Sequence, residues 1–460
     1  MSRAVLEPYR IKMVEPIRLT SRNEREALLQ EAHYNMFLLP AEAVTVDLLT
    51  DSGTNSLSAE QWAALMIADE SYAGSKSFAR FEETVRDVFG YTYVFPTHQG
   101  RGAERLLFSV MCKAGDLVPN NTHFDTTRAN LTDFGVECAD LLCAEGMDLQ
   151  LRHPFKGNMD VEALRTLLRE KRERVPMVLL TVTNNSGGSQ PVAMANIRAV
   201  SAACREFGVP LYFDACRFAE NAYYIQQREN GYSGKSIEEI VREMFSYGDG
   251  LILSGKKDAL SNIGGLLCTN NGALVPRLRE RLVLTEGFPT YGGMAGRDLE
   301  VMRVGLREGM DANYLAHRLG MTEYLGARLR EQGIPIAEPA GGSSVFLDAR
   351  GFLPHLKLEQ LPASALAAEI YLEGGVRTVE IGSAKLSSGE TMSLVRLCLP
   401  RRVYSQTQLD YVADVIGDVW KRREEIGGLE YEFKPEILPA FSAYYRPLSA
   451  VTEQELATAD

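Results

Sequence analysis

The chain has 460 residues, 45% hydrophobic and 24% charged, the balance of a globular protein rather than a disordered or membrane-embedded one. Its 49 basic and 61 acidic residues give a net charge of −12, which argues against nucleic acid or anionic membrane as a general partner. Seven cysteines with no CxxC or zinc-like Cys/His spacing fit a reducing compartment better than a disulfide framework. The start has no signal-peptide core, and no run approaches the roughly 20 apolar residues of a spanning helix, so the expected location is cytoplasmic.

In chain order, Ser21 with Glu24 and Ser58 with Gln61 form capping boxes that predict helices through EREALLQEA and QWAALMIAD. SKSFARFEETVRDVFG predicts a helix that stops at Gly90. Strand-like YTYVFP, VPMVLLTVT, VPLYFD and GLILS then alternate with helical RGAERLLFSVMCKAG, IRAVSAACREFG and SIEEIVREMF. Apolar strands without a polar face, alternating with helices, predict an α/β domain with a mostly parallel sheet covered on both sides. Farther on, VFLDA and LVRLCLP read as strands and TQLDYVADVIGDVWKRR as an amphipathic helix, spaced as in a smaller α+β unit. The expected division is an N-terminal arm over residues 1–20, a large domain over 57–311, and a small domain built from 21–56 and 312–460. The final residues, PLSAVTEQELATAD, read as a frayed tail.

Ligands of open α/β sheets bind at the carboxyl ends of strands, and three such ends stand out. In PTHQGRGAERLL, Gln99, Gly100, Arg101 and Gly102 open a helix where amide N–H groups and a guanidinium could hold a phosphate, a pattern that taken alone fits a glycine turn with a surface arginine as well. VPLYFDACR ends in Asp214 with Arg217 just beyond, an acid that fits a helix cap or a ligand group. LILSGKKD ends a buried strand with Lys256 and Lys257 side by side. A phosphate cradle, a carboxylate and an amine that can form an imine are what pyridoxal 5'-phosphate (PLP) requires. Conversion of one lysine to an imine removes a costly buried ammonium; composition leaves open which lysine it is.

The ordered motifs TDSGTN, DESYAG, PTHQGRGAE, NNSGGSQPV, FDACRFAENAY, SGKKD, GFPTYGG and VRLCLPRRVY resemble the tryptophanase and tyrosine phenol-lyase family of β-eliminating lyases, over about residues 8–443. The resemblance implies the aspartate-aminotransferase-like PLP fold type I, with a mostly parallel seven-stranded sheet, a homotetramer arranged as a dimer of dimers, and a potassium ion. It implies that Lys257 is the Schiff-base lysine and Cα base, that Asp214 pairs with the pyridine nitrogen, and that Asn185 and Arg217 lie near the phenolic oxygen. Gln99, Gly100, Arg101 and Ser254 match the phosphate cradle and Phe124 the aromatic stacked on the ring. Arg396, with Thr50 and Ser52 nearby, matches the substrate-carboxylate site, Tyr72 the general acid, and Glu70 with the carbonyls of Gly53 and Asn262 the cation site.

Within the family, a tyrosine-cleaving branch carries an arginine at the position of Ile381 and a threonine at that of Asp125. Val379, Ile381 and Asp125 are closer to the tryptophan branch, and Phe441 joins them in the expected side-chain pocket. The C-terminal histidine of that branch is replaced by Ala440, and the segment between Ser383 and Arg396 looks shortened. The expected activity is therefore β-elimination of tryptophan to indole, pyruvate and ammonia. Tyrosine or another modified aromatic or S-substituted amino acid is the alternative. A noncatalytic binding protein of this fold, or a dinucleotide-binding oxidoreductase, fits less well, because QGRG is not a GxGxxG turn and simple binding needs no proton-transfer set. His98 and His123 read as structural histidines, Cys216 as a buried filler, Tyr291 as an interface or packing residue, and WKRREEI as a solvated helix face.

Overall fold

The computed structural model describes residues 6–184, 186–381 and 391–448. Asn185, part of the segment expected to be short and most of the expected frayed tail lie outside these residues. Residues 6–19 carry no helix or strand. Ser21 and Glu24 exchange their capping-box bonds, the Glu24 amide to Ser21 Oγ at 3.3 Å and the Ser21 amide to Glu24 Oε2 at 2.8 Å, opening α1 (Arg22–Glu31). After β1 (Val46–Asp47), Ser58 and Gln61 open α2 (Ala59–Met66) in the same way. α3 (Lys76–Phe89) stops at Gly90, whose φ of +84° is the left-handed position that favours glycine.

The chain then alternates through β2 (Tyr93–Thr97), α4 (Gly100–Met111), β3 (Leu117–Asn120), α5 (Asp125–Asp133), β4 (Glu137–Asp140) and α6 (Val161–Lys171). It continues through β5 (Val178–Thr181), α7 (Met194–Glu206), β6 (Leu211–Asp214), α8 (Phe218–Arg228), α9 (Ile237–Ser246), β7 (Gly250–Ser254) and β8 (Gly265–Thr269). Three helices follow, α10 (Val275–Thr285), α11 (Gly296–Glu308) and α12 (Ala312–Glu331). The last part holds β9 (Ser344–Asp348), α13 (Ala349–Phe352), α14 (Pro362–Gly374), β10 (Val376–Arg377), β11 (Val379–Ile381), β12 (Leu394–Cys398), α15 (Gln406–Lys421), β13 (Leu429–Phe433) and β14 (Tyr444–Pro447).

The expected seven-stranded, mostly parallel sheet is corrected in two respects. Hydrogen bonding gives a five-stranded sheet, ordered β2-β8-β7-β6-β5, and a separate parallel pair, β3-β4. Within the five, β5–β6 and β6–β7 are parallel, whereas β7–β8 and β8–β2 are antiparallel. β8 follows β7 through residues 255–264 without a crossover helix, and a parallel partner needs a crossover of about a dozen residues or more. β3 is parted from β5 because Pro119 has no N–H to give the ladder. The side chain of Asn121 fills in, accepting the Thr181 amide at 3.0 Å and donating to the Thr181 carbonyl at 3.0 Å.

Side-chain alternation along the central strands builds a core on each face of the sheet. Val178, Leu180, Leu211, Phe213, Leu251 and Leu253 enter one, packed by residues of α3, α7, α8, α9 and α11. Leu179, Tyr212, Ile252 and Leu267 enter the other, beneath α4 and α10. A further core unites α1 and Leu48 with α12, α14, α15 and the antiparallel sheet β11-β12-β9. Where these regions meet, six charged groups at most 4% exposed interlock: Asp51, Arg217, Glu220, Asp258, Arg318 and Arg401. Arg401 reaches Asp51, Glu220 and Asp258, each at 2.8 Å, and Arg217 grips Asp51 through two bonds of 2.7 and 3.1 Å. All seven cysteines are free, and no described helix is long and apolar enough to cross a membrane.

Candidate active site

The register of β2, β8 and β7 brings the phosphate motif to the lysine motif. Gly265 pairs with Thr97 on one side and Ser254 on the other, so the ends of β2 and β7 flank it. Gln99 follows β2 and caps α4; Gly100 begins the helix so close to β7 that a Cβ there would lie 2.6 Å from the Ser254 Cβ. That approach needs glycine. The first amides of a helix lack intrahelical partners and favour an anion, and Ser254 Oγ, on a residue only 3% exposed, has no hydrogen-bond partner among the described residues. Lys256 Nζ donates to Gln99 Oε1 at 3.3 Å. Burial, then the charges of Lys257 and Arg101, push the Lys256 amine down to about 8.

Asp214 ends β6 beside β7, half-buried, with Oδ1 accepting the Cys216 amide at 3.2 Å. Lys257, half-buried, occupies the turn after β7, and its carbonyl accepts the Leu260 amide at 2.8 Å. The next residue, Asp258, accepts the Ala219 and Glu220 amides at 2.8 and 3.1 Å, capping α8 and bonding the turn to the ion network. Phe124 is the N-cap of α5, and Asp125 is its first residue. An unpartnered hydroxyl, a glycine-tightened helix start, nearby cations, a carboxylate and an amine are together a donor set that fits PLP.

The substrate-side residues meet on the sheet β11-β12-β9. Arg396 lies in register between Val379 and Phe346, and Ile381 lies opposite Leu394, so these side chains share one face. Ile381 packs with Phe346, Met392 and Leu394. Arg396 Nη2 donates to the Leu49 carbonyl at 3.0 Å, next to Thr50. Thr50 Oγ1 accepts the Ser52 amide at 3.1 Å, and Asp51 between them points into the ion network. Phe441 stacks on Phe37 with centroids 4.6 Å apart, and Ala440 lines a small recess with Phe37, Val379 and Glu380. Glu380 receives Tyr445 Oη at 3.0 Å and the Ser364 hydroxyl; burial, with a smaller part from Asp125, raises its pKa.

Other expected residues have contacts of their own. The Arg217 guanidinium is held by Asp51. Tyr72 is 68% exposed, with its ring 5.2 Å from Tyr291 and 5.5 Å from Phe288. Glu70 caps α11 through the Gly296 amide at 2.9 Å and pairs with Arg297 at 3.6 Å. The Gly53 carbonyl accepts the side chain of Asn262 at 3.0 Å. His98 pairs with Glu286 at 2.5 Å and buried His123 with Asp140 at 2.7 Å, contacts of structural histidines. Three features escape a reading by motif: the ion network, Phe346 opposite Arg396, and Glu104. The last could have been found by counting one helical turn from Gly100.

The β-eliminating lyase family profile matches residues 47–415. Tryptophanase of Salinibacter ruber is 51% identical over 450 residues, covering 96% of each chain. Tryptophanase of Hyphomonas neptunium is 49% identical, covering 97% of this chain and all of that one. Tyrosine phenol-lyase of Pasteurella multocida is also 49% identical, covering 96% and 98%. Serine palmitoyltransferase of Sphingomonas wittichii superposes with a TM-score of 0.60 at 16% identity, covering 88% of this chain and 97% of that one, a likeness of fold. Fold and site together define a fold type I PLP-dependent enzyme. Within that class, the chain belongs to the β-eliminating lyase family, and its chemistry is that of a PLP-dependent lyase.

Proposed function

We propose that this lyase breaks a carbon–carbon bond in tryptophan, releasing indole, pyruvate and ammonia. The observation that carries the reading is the wall around Arg396. A guanidinium set between Val379 and Phe346, with Ile381 on the same face, suits a carboxylate beside a flat apolar ring. Ile381 stands where the tyrosine branch places an arginine, so the wall has no cation there for a phenol hydroxyl. Polar recognition of a ring substituent discriminates strongly, and its loss redirects specificity. The Ala440 recess favours a second reading, a modified aromatic or S-substituted amino acid reaching toward Phe37.

Bound PLP would supply an electron sink for the Cα electron pair. In this reading Gln99, Gly100, Arg101 and Ser254 hold the phosphate, Phe124 covers the ring, and Asn185 and Arg217 serve its phenolic oxygen. Asp214 keeps a proton on the ring nitrogen. Arg396 orients the substrate carboxylate, with Thr50 and Ser52 beside it, and Lys257 takes the Cα proton. Asp125, Val379, Ile381 and Phe441 surround the leaving ring, and Tyr72 protonates it.

Because Tyr72 stands exposed in one chain, its role goes with assembly as a homotetramer. The exposed Leu6, Ile11, Met13 and Val14 of the N-terminal arm support such an assembly. A monovalent cation, potassium, held by Glu70, Gly53 and Asn262, a large domain of 57–311 with a small one of 21–56 and 312–460, and a cytoplasmic location complete the reading. The test is pyruvate release from tryptophan, tyrosine and S-alkyl cysteines. Tryptophan should show the highest kcat/KM; a higher value for another substrate overturns the specificity. Borohydride should fix PLP on the peptide containing Lys257.

A further inference from the structure

Glu104 lies one turn into α4, on the face of Gly100, and is 7% exposed. Its two oxygens are held from α5: Thr127 Oγ1 donates to Oε1 at 2.5 Å and Asn130 Nδ2 to Oε2 at 2.9 Å. α4 carries the phosphate motif and α5 begins with Phe124 and Asp125, so this carboxyl group joins the helix of the cradle to the helix beside the expected ring. The charges acting on it are Asp214 of β6 and Lys257 of the turn after β7. The core beneath α4 holds Phe95, Ile252, Leu267 and Leu278 of β2, β7, β8 and α10, while the polar neighbours of the first turn of α4 are Ser254 of β7, against Gly100, and Glu286 just after α10, against Gly102.

We propose that Glu104 is a positioning residue that, acting through Asp214, sets how firmly a protonated ring nitrogen is held at the end of β6. The proposal rests on reading Asp214 and Lys257 as the PLP site. A buried carboxyl group influenced by a second carboxylate resists ionisation, and a cation held by one is attracted by both. Burial, then Asp214, raises Glu104 to about 7. Below that pH it is neutral and ties α4 to α5 only through hydrogen bonds. Above it, a second negative charge reinforces Asp214. Glutamine keeps both contacts, its carbonyl accepting from Asn130 and its amide donating to the Thr127 oxygen, but cannot ionise.

The full-length apoprotein is titrated with PLP at about pH 6 and about pH 8.5, because these bracket the ionisation. Glu104→Gln should weaken PLP binding about tenfold at the higher pH and less than about twofold at the lower, a tenfold loss being one pKa unit of coupling. An equal loss at both pH values, or none, overturns the proposal, since a purely structural role is insensitive to this ionisation. If Glu104→Gln does not fold, Thr127→Val serves. Removing the hydroxyl donor should move the rise in PLP affinity to higher pH, and an unmoved profile overturns the proposal. Wild-type protein that binds no PLP, or is fixed by borohydride at a lysine other than Lys257, overturns the underlying site and the inference with it.

Discussion

Two clusters of charge face each other across the Lys257–Asp258 peptide and are built by opposite rules. On one side, Arg217, Arg318 and Arg401 interlock with Asp51, Glu220 and Asp258, three of each sign and all at most 4% exposed. On the other, Arg101, Lys256 and Lys257 belong to the segments that carry the unpartnered Ser254 hydroxyl and the start of α4, and among the described residues neither Arg101 nor Lys257 has an ion-pair partner; both push Lys256 down. Burying a charge costs so much that a structural cluster must balance itself internally. Cations left at a strand end are free to match a ligand's negative charge, in the proposed site a phosphate.

Lys257→Ala tests the site cluster most severely: pyruvate release from every amino acid should fall by roughly a thousandfold or more, as expected for losing the base and covalent anchor. The urea midpoint should stay close to wild type. Retained pyruvate release would remove Lys257 from the chemistry.

On the balanced side, Arg401→Met leaves three buried acids without their shared partner and should destabilise the protein by about 3–5 kcal/mol in urea unfolding. A loss below about 1 kcal/mol would mean that the network does not hold the cores together. Arg101→Gln sharpens the contrast. It should weaken PLP binding about tenfold while changing stability by less than about 0.5 kcal/mol, since the side chain is exposed and its counter-charge comes from the ligand.

The smallest effect concerns pH. Lys256 is lowered from 10.5 to about 8, so between those values the unfolded chain binds more protons than the folded one. Apoprotein stability should therefore rise with pH across that window. Lys256→Met should flatten that rise, and an unchanged slope in the variant would show that Lys256 is not the group responsible.

Much of the fold was legible locally. Capping boxes at Ser21 and Ser58 and the stop at Gly90 are contacts within a few residues, and all three occur as expected. The sheet was less legible. Whether β3 joins β5 is decided by Pro119 and by an Asn121 side chain that takes the place of backbone, and β8 reverses because its connection is short. At the site, strand register brings the elements bearing Gln99, Asp214, Ser254 and Lys257 together. Arg217, expected near the phenolic oxygen, is buried and bonded to Asp51, a partner that no local pattern indicates.

The sequence by itself determined the chemistry available: an amine, a carboxylate and a glycine-led helix start at successive strand ends, each a local pattern of strand, turn and cap. Only the tertiary structure decided which charges balance one another and which remain for a ligand. Asp51 with Arg401, far apart in the chain, and Arg396 with Val379 and Phe346 on separate strands, are brought together by packing and strand register, and no local pattern encodes those distances.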